Sequence, residues 1–113
     1  MKKAIILFLI LALFLCGCSH TRKYKTAQIQ IQYMDGEIYR LTNEETEYVM
    51  SLLTKGKWGG YTKTDCGYRV IFDNAEIGYD SSGLFNDKEN QRSLRLSEEQ
   101  KKRINEIFES YTQ

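Results

Sequence analysis

Thr26-Ala27-Gln28-Ile29-Gln30-Ile31-Gln32-Tyr33-Met34-Asp35-Gly36-Glu37-Ile38-Tyr39-Arg40-Leu41 alternates apolar and polar residues, turns at Asp35-Gly36 and then alternates again. A period of two is that of a strand with one face buried. Ala27, Ile29, Ile31 and Tyr33 lie on one face, and Gln28, Gln30 and Gln32 on the other. Gly accepts the positive φ that a hairpin turn demands. Two registers compete. A two-residue loop pairs Tyr33 with Ile38 and Ile31 with Arg40, which puts a guanidinium on the apolar face. A three-residue loop, Met34-Asp35-Gly36 with Gly36 left-handed, pairs Ile31 with Tyr39 and Ile29 with Leu41. The second keeps one face apolar, and register follows the buried face.

Downstream, Thr42-Asn43-Glu44-Glu45 has the form of a capping box. Tyr48, Val49, Leu52 and Leu53 then form the apolar stripe of a helix over about residues 43–55, with Lys55 and Gly56 as its stop signals. Residues 57–67 are the least regular stretch. Tyr68, Val70 and Phe72 alternate with Arg69 and Ile71, and a tight turn over Asp73-Asn74-Ala75-Glu76 sets Phe72 opposite Ile77. Leu84-Phe85 is a short apolar pair, residues 86–91 read as a polar turn, and Leu94 and Leu96 face inward on a last strand. Ser97-Glu98-Glu99-Gln100 is a second capping box. Ile104, Ile107, Phe108 and Tyr111 follow at helical spacing. The expected fold is α+β: an antiparallel sheet of about four to six strands with two amphipathic helices on one face. Its order is strand, strand, helix, three strands, helix, and its polar face meets water.

Upstream, Lys2 and Lys3 precede the unbroken apolar run Ala4 to Leu15. Twelve residues are too few for a membrane-spanning helix, which takes about 20, and match the core of an export signal. The run ends in Leu15-Cys16-Gly17-Cys18, which resembles the lipobox of bacterial lipoproteins: an aliphatic residue, a variable one, a small one and the acceptor cysteine. Cys16 fits worse as acceptor, because Leu15 before it is not small. The resemblance implies cleavage after Gly17 and a diacylglyceryl thioether on Cys18. An acylated amine, carrying a chain such as palmitate, would complete the anchor. Two or three chains hold a protein durably where one binds marginally. The plainer alternative is a secretory signal with incidental cysteines. Residues 1–17 are then a removed signal peptide, 18–25 a lipidated tether, and 26–113 one small domain. The implied localisation is the cell membrane or envelope, on the extracytoplasmic face.

From Cys66 to Tyr111 the chain also resembles a small uncharacterised domain of bacterial exported proteins, through Gly83-Leu84-Phe85-Asn86-Asp87, Asn90, Arg92-Ser93-Leu94 and Leu96-Ser97. Relatives of that kind often carry a second cysteine near Ser82 or Gly83, which is absent here, so no hairpin clip through Cys66 is implied. The element order is similar to small helix-on-sheet inhibitor and TATA-binding-like folds, a likeness that transfers no function.

Loss of Lys2 and Lys3 with the signal takes the net charge from +1 to −1, with 14 basic residues against 15 acidic ones. Such a balance argues against nucleic acid, which needs a basic face. Arg22, Lys23 and Lys25 in the tether either attract an anionic surface or merely keep it solvated. The single histidine, His20, lies in the tether, so neither the serines nor Cys66 has a usable base beside it. No metal-ligand spacing is present, and no cofactor is implied. Glu44, Glu45, Glu47, Glu98 and Glu99 serve capping, and Asp73, Glu76, Asp80 and Asp87 serve turns.

Once Cys16 is removed and Cys18 lipidated, Cys66 is the only free thiol. It is either a buried small residue, an intermolecular partner or a reactive group. Aromatic residues are in excess, with eight tyrosines and one tryptophan. Trp58, Tyr61, Tyr79 and Phe85 lie at glycine-rich loops or strand ends, where aromatics suit recognition of a protein or a glycan. Trp58 alternatively closes the core under the helix end. The functional expectation is a non-enzymatic, lipid-anchored binding or inhibitory module. The alternatives are a thiol-dependent envelope protein acting through Cys66 and a purely structural envelope component.

Overall fold

The computed structural model describes residues 24–112; the signal peptide, Cys18 and the tether up to residue 23 lie outside the described residues. The chain runs β1 (Gln30–Tyr33), β2 (Ile38–Arg40), α1 (Asn43–Lys55), β3 (Gly59–Gly60), β4 (Tyr68–Ile71), β5 (Glu76–Asp80), β6 (Leu84–Asp87), β7 (Arg92–Arg95) and α2 (Glu98–Thr112). All seven strands join one antiparallel sheet in the order β2-β1-β4-β5-β6-β7-β3. The α+β class is as expected, with one strand more than the upper bound.

The first hairpin adopts the three-residue register: Ile31 faces Tyr39, and Leu41 N donates to Ile29 O at 2.8 Å. The left-handed residue, however, is Met34 at φ +52° and not Gly36. Met34 N donates to Gly67 O at 2.8 Å, which extends the β1–β4 ladder by one residue while β2 is already turning away. That bond fixes the twist at Met34. The strand also starts later than the alternation implies: Ala27 is exposed, and residues 27–28 form a bend.

In the second hairpin Val70 faces Ile77, and Phe72 N donates to Ala75 O, so the turn shrinks to Asp73-Asn74. Phe72 does not sit opposite Ile77. A shift of two residues leaves every side chain on its own face, so patterning alone does not separate the two pairings. The N-terminal segment locks the tight form. Asp73 N donates to Lys25 O, and Lys25 N donates to Asn74 Oδ1.

Both helices start as read. Thr42 Oγ1 accepts from Glu45 N while Glu45 Oε1 accepts from Thr42 N, and Ser97 and Gln100 repeat the exchange. Val49 and Leu53 of α1 and Ile104, Ile107 and Phe108 of α2 are buried with Ile31, Val70, Ile77, Tyr79, Phe85 and Leu94 in one core, so both helices cover the same sheet face. Gly56 ends α1 because a Cβ there would lie 2.5 Å from Leu94 Cδ1 and 2.7 Å from Leu52 O.

The opposite face is only half open. Gln30, Gln32, Arg69 and Glu76 share the open half, where Arg69 donates to Gln32 and pairs with Glu76. The other half lies under residues 61–67, a strap that leaves edge strand β3 and crosses to β4. Thr62 N donates to Ser93 Oγ at 2.9 Å, Ser93 Oγ donates to Asn86 Oδ1 at 2.6 Å, and Thr64 Oγ1 donates to Asp80 Oδ2 at 3.2 Å. The strap buries Asn86 on this face, and Tyr24, Asn90 and Arg92 bury Asp87 on the other, so residues 84–87 form a wholly buried strand and not a polar turn.

Candidate functional site

Two ends of the sheet carry side chains that the fold alone does not require. The first lies where the chain enters the domain. Tyr24, expected in the tether, is 5% exposed, so the packed domain already includes it. Its ring stacks on Phe72 with centroids 4.8 Å apart, and its hydroxyl donates to Asp87 Oδ2. Asp87, 2% exposed, also accepts from Asn90 N at 3.1 Å and Asn90 Nδ2 at 2.8 Å. Arg92 Nε lies 3.5 Å from the same carboxylate, and Arg92 donates to Tyr24 Oη at 3.0 Å. Its guanidinium also lies over Trp58, whose Nε1 donates to Leu53 O at 2.9 Å.

Burial pushes the Asp87 pKa up, but the hydrogen bonds from Tyr24 and Asn90 and the Arg92 charge outweigh it and hold the carboxyl below its ordinary value. Burial, and then the bond to Asp87, push the Tyr24 phenol well up. An ionised acid satisfied on every side has no proton to exchange and no lone pair aimed at a substrate. This cluster fastens the chain entry to the sheet.

The four aromatic residues singled out as a contact patch do not form one. Tyr79 and Phe85 have no exposed surface and pack on each other and on the core at a centroid distance of 4.8 Å. They lie on the helix-covered face because residues 77, 79, 85 and 94 share its parity. Trp58 is half-buried and closes the core beneath the end of α1. Tyr61 is half-buried at the start of the strap.

Cys66 lies half-buried on the strap, against Gly78 of β5. Burial raises its thiol pKa and the neighbouring Asp80 raises it further, while the bond with Asn86 offsets only part of this. A thiol held protonated lacks the character of a nucleophile. Asp80 goes the other way: hydrogen bonds from Ser82 and Thr64 keep it below its ordinary value.

The second end is the tip of the β1–β2 hairpin. Tyr33, Met34 and Ile38 are 40%, 64% and 52% exposed and are the exposed large hydrophobics among the described residues. Ile38 pairs with Gln32 and shares its open face, whereas Tyr33 and Met34 border a recess of about 300 Å³, walled also by Tyr68, Asp65, Asp80 and Glu109. The rings of Tyr33 and Tyr68 are 4.8 Å apart. Gly67 admits the Tyr33 ring, since a Cβ there would meet Tyr33 Cε1 at 3.0 Å. The alternation of β1 marks Tyr33 as inward-facing. It does not reveal that cover stops within that rung: Tyr68 is buried under Phe108 of α2, while its partner Tyr33 stays 40% exposed.

Among the described residues no group of His, Cys, Asp and Glu is placed to hold a metal ion. No described helix is long and apolar enough to cross a membrane. No family model matches the chain, and searches of curated proteins and of solved structures return no match.

Proposed function

We propose that this chain is a lipoprotein held by an acylated Cys18 at the extracytoplasmic face of a membrane, and that its domain is a non-enzymatic binding or inhibitory module whose contact surface is the β1–β2 hairpin tip. One observation carries the choice of surface. The exposed large hydrophobics of the described residues all lie on that hairpin, at the end of β1 opposite the chain entry. Contiguous exposed apolar residues, as Tyr33 and Met34 are, mark interaction sites where singly scattered ones do not. The placement suits an anchored protein. The tether would join at Tyr24 and Lys25, beside the Asp73-Asn74 turn, and the tip would project away from the membrane.

The anchor is tested by Cys18→Ala, which is expected to release the chain from the membrane fraction or stall its processing; unchanged retention refutes the lipid anchor. The surface is tested by Met34→Asp, which is expected to leave thermal unfolding unchanged while abolishing photocrosslinks from a benzophenone side chain placed at Ile38. Crosslinks that persist in Met34→Asp refute the surface.

A further inference from the structure

The hairpin tip has a chemistry of its own beyond being apolar. Asp35 and Glu37 flank it in the turn and are exposed. The recess behind it is walled by the carboxylates of Asp65, Asp80 and Glu109, and no lysine or arginine lines it. Arg69, the residue after Tyr68, is engaged with Gln32 and Glu76 on the open sheet face. The exposed Tyr33 ring, an adaptable methionine and carboxylates with no cation among the recess walls therefore meet at one place.

We propose, resting on the reading of this tip as the contact surface, that it docks a protein segment in which a lysine or arginine side chain enters the recess while neighbouring apolar side chains cover Tyr33 and Met34. Charge complementarity selects this occupant. The carboxylates repel a phosphate-bearing surface, so lipid headgroups and nucleic acid are the wrong sign. A bare divalent cation finds no set of ligands there. An organic cation needs less: a carboxylate wall, and a ring face within about 6 Å. A recess of about 300 Å³ is of a size for one such side chain, at the lower end of known ligand sites. Methionine and tyrosine at the rim fit a partner with apolar residues on either side of its cation.

The probe is a fluorescein-labelled Lys-Leu-Lys-Val-Lys-Leu peptide, with its glutamate counterpart, read by anisotropy against the full chain in detergent. The basic peptide is expected to bind at least tenfold tighter than the acidic one. Asp65→Asn combined with Glu109→Gln is expected to weaken it about tenfold, as is Met34→Ser. Glu44→Gln combined with Glu47→Gln, which neutralises exposed acids of α1, is expected to leave it unchanged. Equal loss in the α1 variant, or full binding by Met34→Ser, would reduce the effect to general charge attraction and overturn the proposal. Absence of peptide binding while the Ile38 crosslinks still depend on Met34 would overturn the cationic partner alone and leave the contact surface standing. Loss of both would overturn both.

Discussion

The guanidinium carbon of Arg92 lies 4.0 Å from the centroid of the Trp58 ring. One β7 side chain thereby joins three separate parts of the chain. It stacks on Trp58, three residues past the end of α1, donates to Tyr24 ahead of β1 and pairs with the carboxylate of Asp87 that ends β6. A planar fork can do all three at once, and an ammonium cannot. Arg92→Lys keeps the charge but loses the stack and one of the directed bonds. It is expected to lower unfolding free energy by about 1–2 kcal/mol, read as a shift in urea midpoint at constant slope. A variant as stable as the parent would show that the stack contributes nothing.

Acid should loosen the same cluster. The folded state holds the Asp87 carboxyl below its ordinary 3.8, so it binds that proton more weakly than the unfolded chain does. The stability from this group is complete above its unfolded pKa and is lost as pH falls below about 4 and through the folded value. Urea midpoints from about pH 7 down to about pH 2 are expected to fall along this limb. Asp87→Asn should start about 2–3 kcal/mol lower near neutrality and show a flatter limb. An unchanged limb in that variant would assign the acid sensitivity to Glu45 and Asp80, which are also held below their ordinary values.

Gly78 is where the strap touches the sheet. A Cβ at this position would lie 2.8 Å from both Cβ and Sγ of Cys66. Neither atom ends a long flexible side chain, so the strap must lift. Gly78→Ala is expected to cost about 1–3 kcal/mol and to speed iodoacetamide labelling of Cys66. In the parent, labelling should run slower than in denaturant, because burial and Asp80 keep the thiol protonated. A Gly78→Ala chain that labels at the parental rate would mean that the sheet and not the strap gives way.

The elements with a strict period were legible in the sequence. Ile29, Ile31 and Leu41 set the first register, and the two capping boxes set the helix starts. What was not legible depends on pairing between segments without a period. Residues 61–67 carry no repeat, yet they cover Asn86 and Ser93, and with Tyr24 over Asp87 the polar residues 86–87 form a strand and not a turn. Tyr24 reads as tether until Asp87, 63 positions away, supplies its acceptor. Tyr79 and Phe85 sit next to turn residues in sequence, and strand parity sends them inward. The exposure of the hairpin tip is hidden in the sequence for the converse reason. Tyr33 continues an inward-facing pattern to a position that Tyr68 covers on one side only, which leaves it 40% exposed.

Met34 joins strain to the contact surface. At φ +52° an unbranched L-residue occupies the left-handed region, at a cost of about 1–2 kcal/mol. Its side chain, 64% exposed, has little packing to offset that. Glycine removes the strain and returns about 0.5–1 kcal/mol of it as lost chain freedom. Met34→Gly is therefore expected to stabilise the domain, by up to about 1 kcal/mol, while weakening capture of the basic peptide. Gln91 supplies the comparison: it is also left-handed, at φ +53°, but it lies in the Lys88–Gln91 turn at the other end of the sheet. Gln91→Gly should stabilise by a similar amount and leave peptide binding untouched. If both substitutions stabilise and only Met34→Gly loses the peptide, the methionine is kept at the tip for contact and against stability, as strained residues at functional positions are. If Met34→Gly destabilises, the side chain is packed more tightly than its exposure implies, and the tip is part of the fold.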